Sequence, residues 1–153
     1  MAERGLENLR VYIMARELVG FVYKDLVPEL PEDEKCGLVS QIKRAVISIP
    51  ANIAEGYGRY YFQENIRYCY NARGSLEELF SHLIIAADLN YLLESEFARA
   101  INQIGDLRKA INGYIRYLKG RKEEYLEESG DQNIRESTYE EIYNLVNPSS
   151  SID

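Results

Sequence analysis

Residues 48–59 read SIPANIAEGYGR, and two incompatible structures fit that string at first sight. Gly56 and Gly58 followed by Arg59 resemble a loop that cradles phosphate, which would point to a nucleotide binder. A P-loop, however, needs Gly-x-x-x-x-Gly-Lys-Ser/Thr after a strand, and a dinucleotide fingerprint needs Gly-x-Gly-x-x-Gly between a strand and a helix. The run GYGRYYF at 56–62 has neither the lysine nor the third glycine. Upstream, Leu38, Ile42, Ile49 and Ile53 recur at helical steps, so a helix and not a strand leads into the glycines. Pro50 then lies inside that helix, where its ring removes the bond to the Val46 carbonyl and predicts a kink, with Ser48 or Asn52 supplying local side-chain hydrogen bonds. Gly56 and Gly58 end the helix, one of them expected in the left-handed conformation.

The same helix carries more apolar surface than one buried face requires. Val39, Val46 and Ile47 spread beyond the main stripe, and Ala51 and Ala54 add small apolar surface. A further stripe of Gln41, Ala45, Ser48, Asn52, Glu55 and Arg59 is mostly small or uncharged, unlike the solvated face of a peripheral helix. A helix that is apolar nearly all round is buried on more than one side. Contact with another copy of the chain follows as an expectation, with Gln41, Ser48, Asn52 and Glu55 as interface residues. The alternative is a helix sequestered within one subunit beneath the C-terminal segment.

Working outward, three more segments have helical period and none has sustained strand alternation. Val11, Ala15, Leu18, Val22 and Leu26 place a helix over about 9–27, stopped by Pro28 and Pro31. The second helix, containing the opening string, is expected to begin near Pro31, with Glu32, Asp33 and Glu34 against its N-terminal dipole. Ile66, Cys69, Leu76, Leu79, Leu83 and Ala86 mark a third over about 62–92. A fourth follows Ser95 as N-cap, with Phe97, Ile101, Ile104, Ile111, Ile115 and Leu118 as its seam and Arg108 in the skipped place. Short connections between such helices favour antiparallel neighbours. The expected fold is all-α: an antiparallel up-down-up-down four-helix bundle over residues 1–128. Residues 129–153 are expected to form an acidic linker, a short amphipathic helix opened by a Ser137/Glu140 capping box with Tyr139, Ile142 and Val146 on one stripe, and a frayed end.

The charge is unevenly spread. The net charge is −7 over 153 residues, yet residues 1–120 hold 15 Lys/Arg against 16 Asp/Glu, and residues 121–153 hold 3 against 9. From Leu107 to Lys122 there is no acidic residue, while Arg108, Lys109, Arg116, Lys119, Arg121 and Lys122 are cationic. Arg59, Arg67 and Arg73 interleave with Tyr57, Tyr60, Tyr61, Phe62, Tyr68 and Tyr70. Phosphate neutralisation combined with aromatic stacking is how single strands and RNA are held without a catalytic motif. The candidate contacts are Arg108, Arg116, Lys119 and Lys122, then Lys43, Arg44 and Arg59. Structural readings stand beside this one: cations late in a helix complement its dipole, tyrosines straddle core and solvent, and the acidic tail could pair with the basic stripe.

Other chemistry finds little support. His82 is the only histidine, one turn after Glu78, and a bundle di-metal site needs Glu-x-x-His from each of two helices. Arg73 lies too far before His82 for a helical ribonuclease pair, and one helical histidine makes no nucleophilic triad. No enzyme, no metal and no cofactor are expected. Cys36 and Cys69 lack metal spacing and read as reduced thiols of a cytoplasmic protein. The first residues, MAERGLENLR, lack the apolar core of a secretory signal, and no apolar run approaches the roughly 18 residues of a membrane span.

YIMARELVGFVYKDL (12–26), LPEDEKCGLVSQIKRAVISIPANIAEGYGR (30–59) and NARGSLEEL (71–79) together resemble the 23S rRNA-intervening-sequence protein family. That family of bacterial four-helix-bundle proteins includes the accessory subunit of diversity-generating retroelements. The likeness spans Val11 to Lys119. It implies a ring-shaped homopentamer without catalytic activity. In the retroelement branch it implies binding of RNA or DNA and of a reverse transcriptase through basic surface. The near-neutral body and the acidic segment 121–153 depart from that branch. They leave open a protein-interaction module that binds no nucleic acid and docks through its acidic C-terminal helix.

Overall fold

The computed structural model describes residues 5–129. It is all-helical over that span: α1 (Arg10–Phe21), α2 (Leu38–Tyr57), α3 (Phe62–Asp88) and α4 (Glu94–Ser129) are its four long helices, with no strand among the described residues. The capping box at Ser137, the stripe of Tyr139, Ile142 and Val146, and the expected 129–153 segment beyond Ser129 lie outside the described residues.

The apolar stripe anticipated for α1 is buried in full: Val11, Ala15, Leu18, Val22 and Leu26. The α-helix itself ends at Phe21, and the chain carries on as a π-helical turn, Val22–Leu26, then a 3-10 turn, Val27–Glu29, around Pro28. In α3 every expected core residue from Ile66 to Ala86 is buried, joined by Ala72 and Asn65. Each fully buried Leu or Ile contributes roughly 1.5–3 kcal/mol, so these stripes dominate the stability of the bundle.

Three boundaries depart from the sequence reading. The helix expected from Pro31 starts at Leu38, and Glu32–Glu34 form a separate 3-10 turn. The reason is a side-chain cap: Glu34 Oε2 accepts the Leu38 amide at 2.9 Å, reaching over Gly37, where a Cβ would lie 2.6 Å from that oxygen. The third helix stops at Asp88, not Leu92, because Asn90 turns left-handed at φ 58°. Asn90 N–H then reaches the Ala87 carbonyl at 2.9 Å and Tyr91 N–H the Ala86 carbonyl at 2.9 Å, a Schellman closure. The fourth helix begins at Glu94, so Ser95 sits within its first turn and is not the cap.

The α4 seam also shifts. Ala100, Ile104, Leu107, Ile111, Ile115, Leu118 and Lys122 face inward, while Ile101 is exposed and Phe97 half-buried. Leu107 fills the place left open in the sequence reading, and Arg108 stands beside it at the surface edge.

Packing is between α1 and α2, α2 and α3, α3 and α4, and α4 and α1. Ser48 meets Ser75 and Arg59 meets Tyr68, so numbering runs oppositely along α2 and α3. Gln63 with Lys122, Arg73 with Asn112 and Glu77 with Arg108 show the same for α3 and α4. Glu34 Oε1 accepts the Tyr91 hydroxyl at 3.3 Å, fastening the α1–α2 connection to the α3–α4 connection. Among the described residues no helix is long and apolar enough to cross a membrane.

Candidate nucleic-acid interface

The opening string is a helix end, but its glycines work differently from the expectation. Neither Gly56 nor Gly58 is left-handed; Gly58 has φ −76° and ψ −5°. Gly56 is buried because α3 crosses it: an added Cβ would stand 2.8 Å from both Asn65 Oδ1 and Tyr68 Cβ. The missing side chain is a close-packing requirement, not a turn requirement. Helix α2 continues through Pro50, and Asn52 Nδ2 donates to the Ser48 carbonyl at 2.8 Å and to Ser48 Oγ at 3.1 Å. Those bonds lie beside the proline as expected, but they engage Ser48 and not the Val46 carbonyl, the acceptor whose helical donor Pro50 removes.

Ser48 Oγ also lies 2.7 Å from Ser75 Oγ on α3. Of the four residues expected at a subunit contact, Ser48 and Asn52 are therefore half-buried and engaged within the subunit, while Gln41 and Glu55 are exposed. The outermost face of α2 is instead Ser40, Arg44, Ile47 and Ala51, with Ile47 48 % exposed. Val39 and Val46, part of the apparent surplus, are buried inside the bundle.

Beyond the helix end the chain becomes cationic and aromatic. Arg59 donates to Glu55 and to the Tyr68 hydroxyl at 3.1 Å, and its guanidinium sits 5.3 Å from the Tyr68 ring centroid. The Glu55 hydrogen bond, foremost, raises the Arg59 pKa, with Tyr68 adding to it. Arg67 approaches the same ring at 5.5 Å. Tyr70 is two residues on, and so about 200° round the α3 axis on its α4 side; Arg73 lies 4.8 Å from its ring centroid, and Lys119 of α4 lies 5.6 Å from it. Two tyrosines thus each carry two cations, within the range of favourable ring–cation attraction. Arg73 is further held by Asn112 Oδ1 at 3.1 Å. Tyr60 and Tyr61, 86 % and 66 % exposed, stand at the near end of this band, edge to face at 5.1 Å.

The cations singled out from sequence separate into distinct settings. Arg116 is exposed with no hydrogen bond or ion pair among the described residues, and Lys119 joins Arg73 over Tyr70. Arg108 is tied to Glu77 and lies 5.6 Å from the Phe80 ring. Lys122 is 7 % exposed and donates to Gln63 Oε1 at 2.6 Å, which places it in the α3–α4 seam and not on the surface. Lys43 sits 5.2 Å from the Tyr23 ring on the α1 side of α2, and Arg44 is exposed on the outer face of α2. Because α2 and α4 occupy opposite corners of the bundle, Lys43 and Arg44 do not share a face with Arg116 and Lys119.

Two features carry more weight in the structure than in the sequence. Arg73 and Tyr70, noted there as interleaved basic and aromatic residues but not among the candidate contacts, belong to the core of the band, and their i, i+3 spacing was the available signal. Asn65, buried among α2, α3 and α4, donates to the Tyr114 hydroxyl at 3.3 Å and accepts from Cys69 Sγ at 3.6 Å. Burial pushes the Tyr114 phenol up and the Cys69 thiol up to about 12. His82 Nε2 lies 3.5 Å from Glu78 Oε1, and among the described residues no three His, Cys, Asp or Glu side chains converge as metal ligands.

The family model described as 23S rRNA-intervening sequence protein matches residues 7–113. No curated protein shows significant similarity to the chain.

Proposed function

The chain belongs to the 23S rRNA-intervening sequence protein family, and from that premise we propose a non-enzymatic, homo-oligomeric scaffold that holds single-stranded RNA or DNA. The subunit is an up-down-up-down four-helix bundle, and the resemblance implies five copies in a ring. The surface proposed for the strand is the band of Arg59, Arg67, Arg73, Arg116 and Lys119. The observation that carries this reading is the pairing of cations on Tyr68 and Tyr70, with Tyr60 and Tyr61 exposed beside them. Cations neutralise the phosphates and rings stack with bases, and neither interaction needs a particular sequence. A reverse transcriptase bound to the same strand is the partner that the resemblance implies.

Assembly is proposed through the outer face of α2. Ile47 and Ala51 are exposed there, flanked by Gln41 and Glu55. Ser40 and Ala51, small and exposed on that face, allow a neighbouring helix to approach closely while Ile47 supplies apolar area.

Filter binding of a labelled single-stranded RNA across salt concentrations tests the first part. Binding that weakens steeply with salt, and weakens further when Arg73 and Lys119 become alanine, supports it. No binding at low salt, or binding indifferent to both substitutions, overturns it. Light scattering tests the second part, and a monomer at micromolar concentration removes the scaffold.

A second reading, a polypeptide-binding module, draws on the other end of the α3–α4 seam. Continuing the pairs Arg73–Asn112 and Glu77–Arg108 brings Ile84 opposite Ile101, both exposed, with Ile85, Leu89 and Leu93 exposed nearby. If aspartate at Ile85 and Leu89 abolishes capture of a reverse transcriptase while RNA binding persists, this end is the protein-docking surface.

A further inference from the structure

We propose that residues 130–153 of the chain lie on the basic face of its own α4 and compete there with nucleic acid. This rests on the nucleic-acid reading for its regulatory meaning, though not for the contact itself. Lys109 and Arg116 are exposed without a hydrogen bond or ion pair among the described residues, and Lys119 stands beside Arg116. Gly113, between Lys109 and Arg116 along the helix, and Gly120, one turn beyond Arg116, leave open space, with the exposed Tyr117 next to Arg116. The result is a shallow, cationic strip with an aromatic edge and no acidic residue from Leu107 to Lys122.

The occupant is argued from charge and reach. Residues 130–153 hold Asp131, Glu136, Glu140, Glu141 and Asp153 against the single cation Arg135. They also hold Tyr139, Ile142 and Val146 at helical spacing, an apolar stripe that needs a surface. Arg116 lies 13 residues before Ser129, about 20 Å along the helix at 1.5 Å per residue. Glu136, seven residues past Ser129, can travel about 23 Å when extended, and Glu140 and Glu141 further still. Glu136 can therefore double back to Lys119, about 15 Å along the helix from Ser129, and Glu140 and Glu141 have the length to reach Arg116. Bound there, carboxylates substitute for phosphates, and a strand must displace them.

The test compares the full chain with a same-length variant, Glu136→Gln, Glu140→Gln and Glu141→Gln together. Carbodiimide cross-linking with mass spectrometry gives a readout independent of nucleic acid. Cross-links from Glu136, Glu140 or Glu141 to Lys109 or Lys119, within one chain in a mixture of ¹⁴N- and ¹⁵N-labelled protein, are expected. Their absence, or their occurrence solely between differently labelled chains, overturns the proposal. The competition arm uses a fluorescein-labelled single-stranded RNA. The variant is expected to bind about tenfold more tightly at low salt, with the gap closing as salt rises. Equal affinities overturn the competition. Intrachain cross-links with no RNA binding by either protein uphold the contact while the nucleic-acid reading falls.

Discussion

The Arg108 guanidinium grips the Glu77 carboxylate with two hydrogen bonds, Nε to Oε1 at 2.5 Å and Nη2 to Oε2 at 3.0 Å. A cation of α4 is thereby committed to an anion of α3. Both side chains keep partial solvent contact, so the pair is worth about 0.5–1 kcal/mol and not the larger figure of a buried bridge. A double-mutant cycle of Arg108→Ala and Glu77→Ala, read by urea unfolding, should return a coupling of that size. A coupling near zero would show that the fork does not persist in solution. Because the guanidinium is already occupied, Arg108→Ala alone should change RNA affinity less than Arg116→Ala does.

Arg73 and Lys119 belong to different helices and meet over one ring, that of Tyr70. Replacing both with alanine removes two phosphate-neutralising charges. For a single strand the slope of log affinity against log salt should fall by about 1.4, at roughly 0.7 per contact. Tyr70→Phe should leave that slope unchanged, since the ring face is preserved. An unchanged slope in the double variant would place the strand elsewhere.

Much of this fold was legible from period alone. The stripes of α1 and α3 are buried residue for residue, because a helix with a single inward face leaves no ambiguity about which side packs. Helix α4 was harder: Ile101 and Leu107 are both apolar and lie on adjacent rows, and only packing against the neighbouring helices decides that Leu107 goes in. The capping of Leu38 by Glu34 was hidden for another reason, since nothing local distinguishes a capping glutamate from its acidic neighbours. In the band over Tyr68 and Tyr70, the contacts of Arg67 and Arg73 lie within α3 and were legible from spacing, whereas those of Arg59 and Lys119 come from other elements, which neither spacing nor composition encodes.

Gly56 illustrates the same limit and offers a direct check. A methyl group there would press on Asn65 Oδ1, Tyr68 Cβ and the Asn65 carbonyl oxygen, the last at 3.1 Å. Gly56→Ala should destabilise by about 1–3 kcal/mol as the α2–α3 contact is forced apart, despite the better helix propensity of alanine. Gly74→Ala, in α3 with nothing within 4 Å, should instead stabilise by up to about 1 kcal/mol. Chemical denaturation of both variants decides it, and equal effects of the same sign would contradict the packing account.

The two cysteines should behave as different species. Cys36 is exposed, whereas Cys69 is 1 % exposed and its thiol is pushed from 9.0 up to about 12 by burial. One thiol should react rapidly with a disulfide reagent at pH 8 in the native protein, and two after denaturation. Because the folded pKa is the higher one, this burial costs nothing below about pH 9. Between about pH 9 and 12 the unfolded thiol ionises while the folded one does not, and stability should fall by at most about 1.4 kcal/mol per pH unit from this group. Cys69→Ser should keep the native count at one fast thiol; a count of zero would reverse the assignment.

Ile47 tests the assembly. It is a large apolar side chain on the outer face of α2, between Arg44 and Ala51, where the bundle itself gives it little cover. Ile47→Asp adds a charge at a site that is half in water in the single subunit, so the subunit should keep its helical circular dichroism and lose little stability. In an oligomer packed through that face the same carboxylate would be buried unpaired, which costs several kcal/mol per contact. Light scattering should therefore find the wild type as an oligomer and Ile47→Asp as a folded monomer. Ser48→Ala, whose hydroxyl is spent on Ser75 inside the subunit, should leave the assembly intact. The opposite pattern, with assembly lost at Ser48 and kept at Ile47, would return the interface to the stripe of Gln41, Ser48, Asn52 and Glu55.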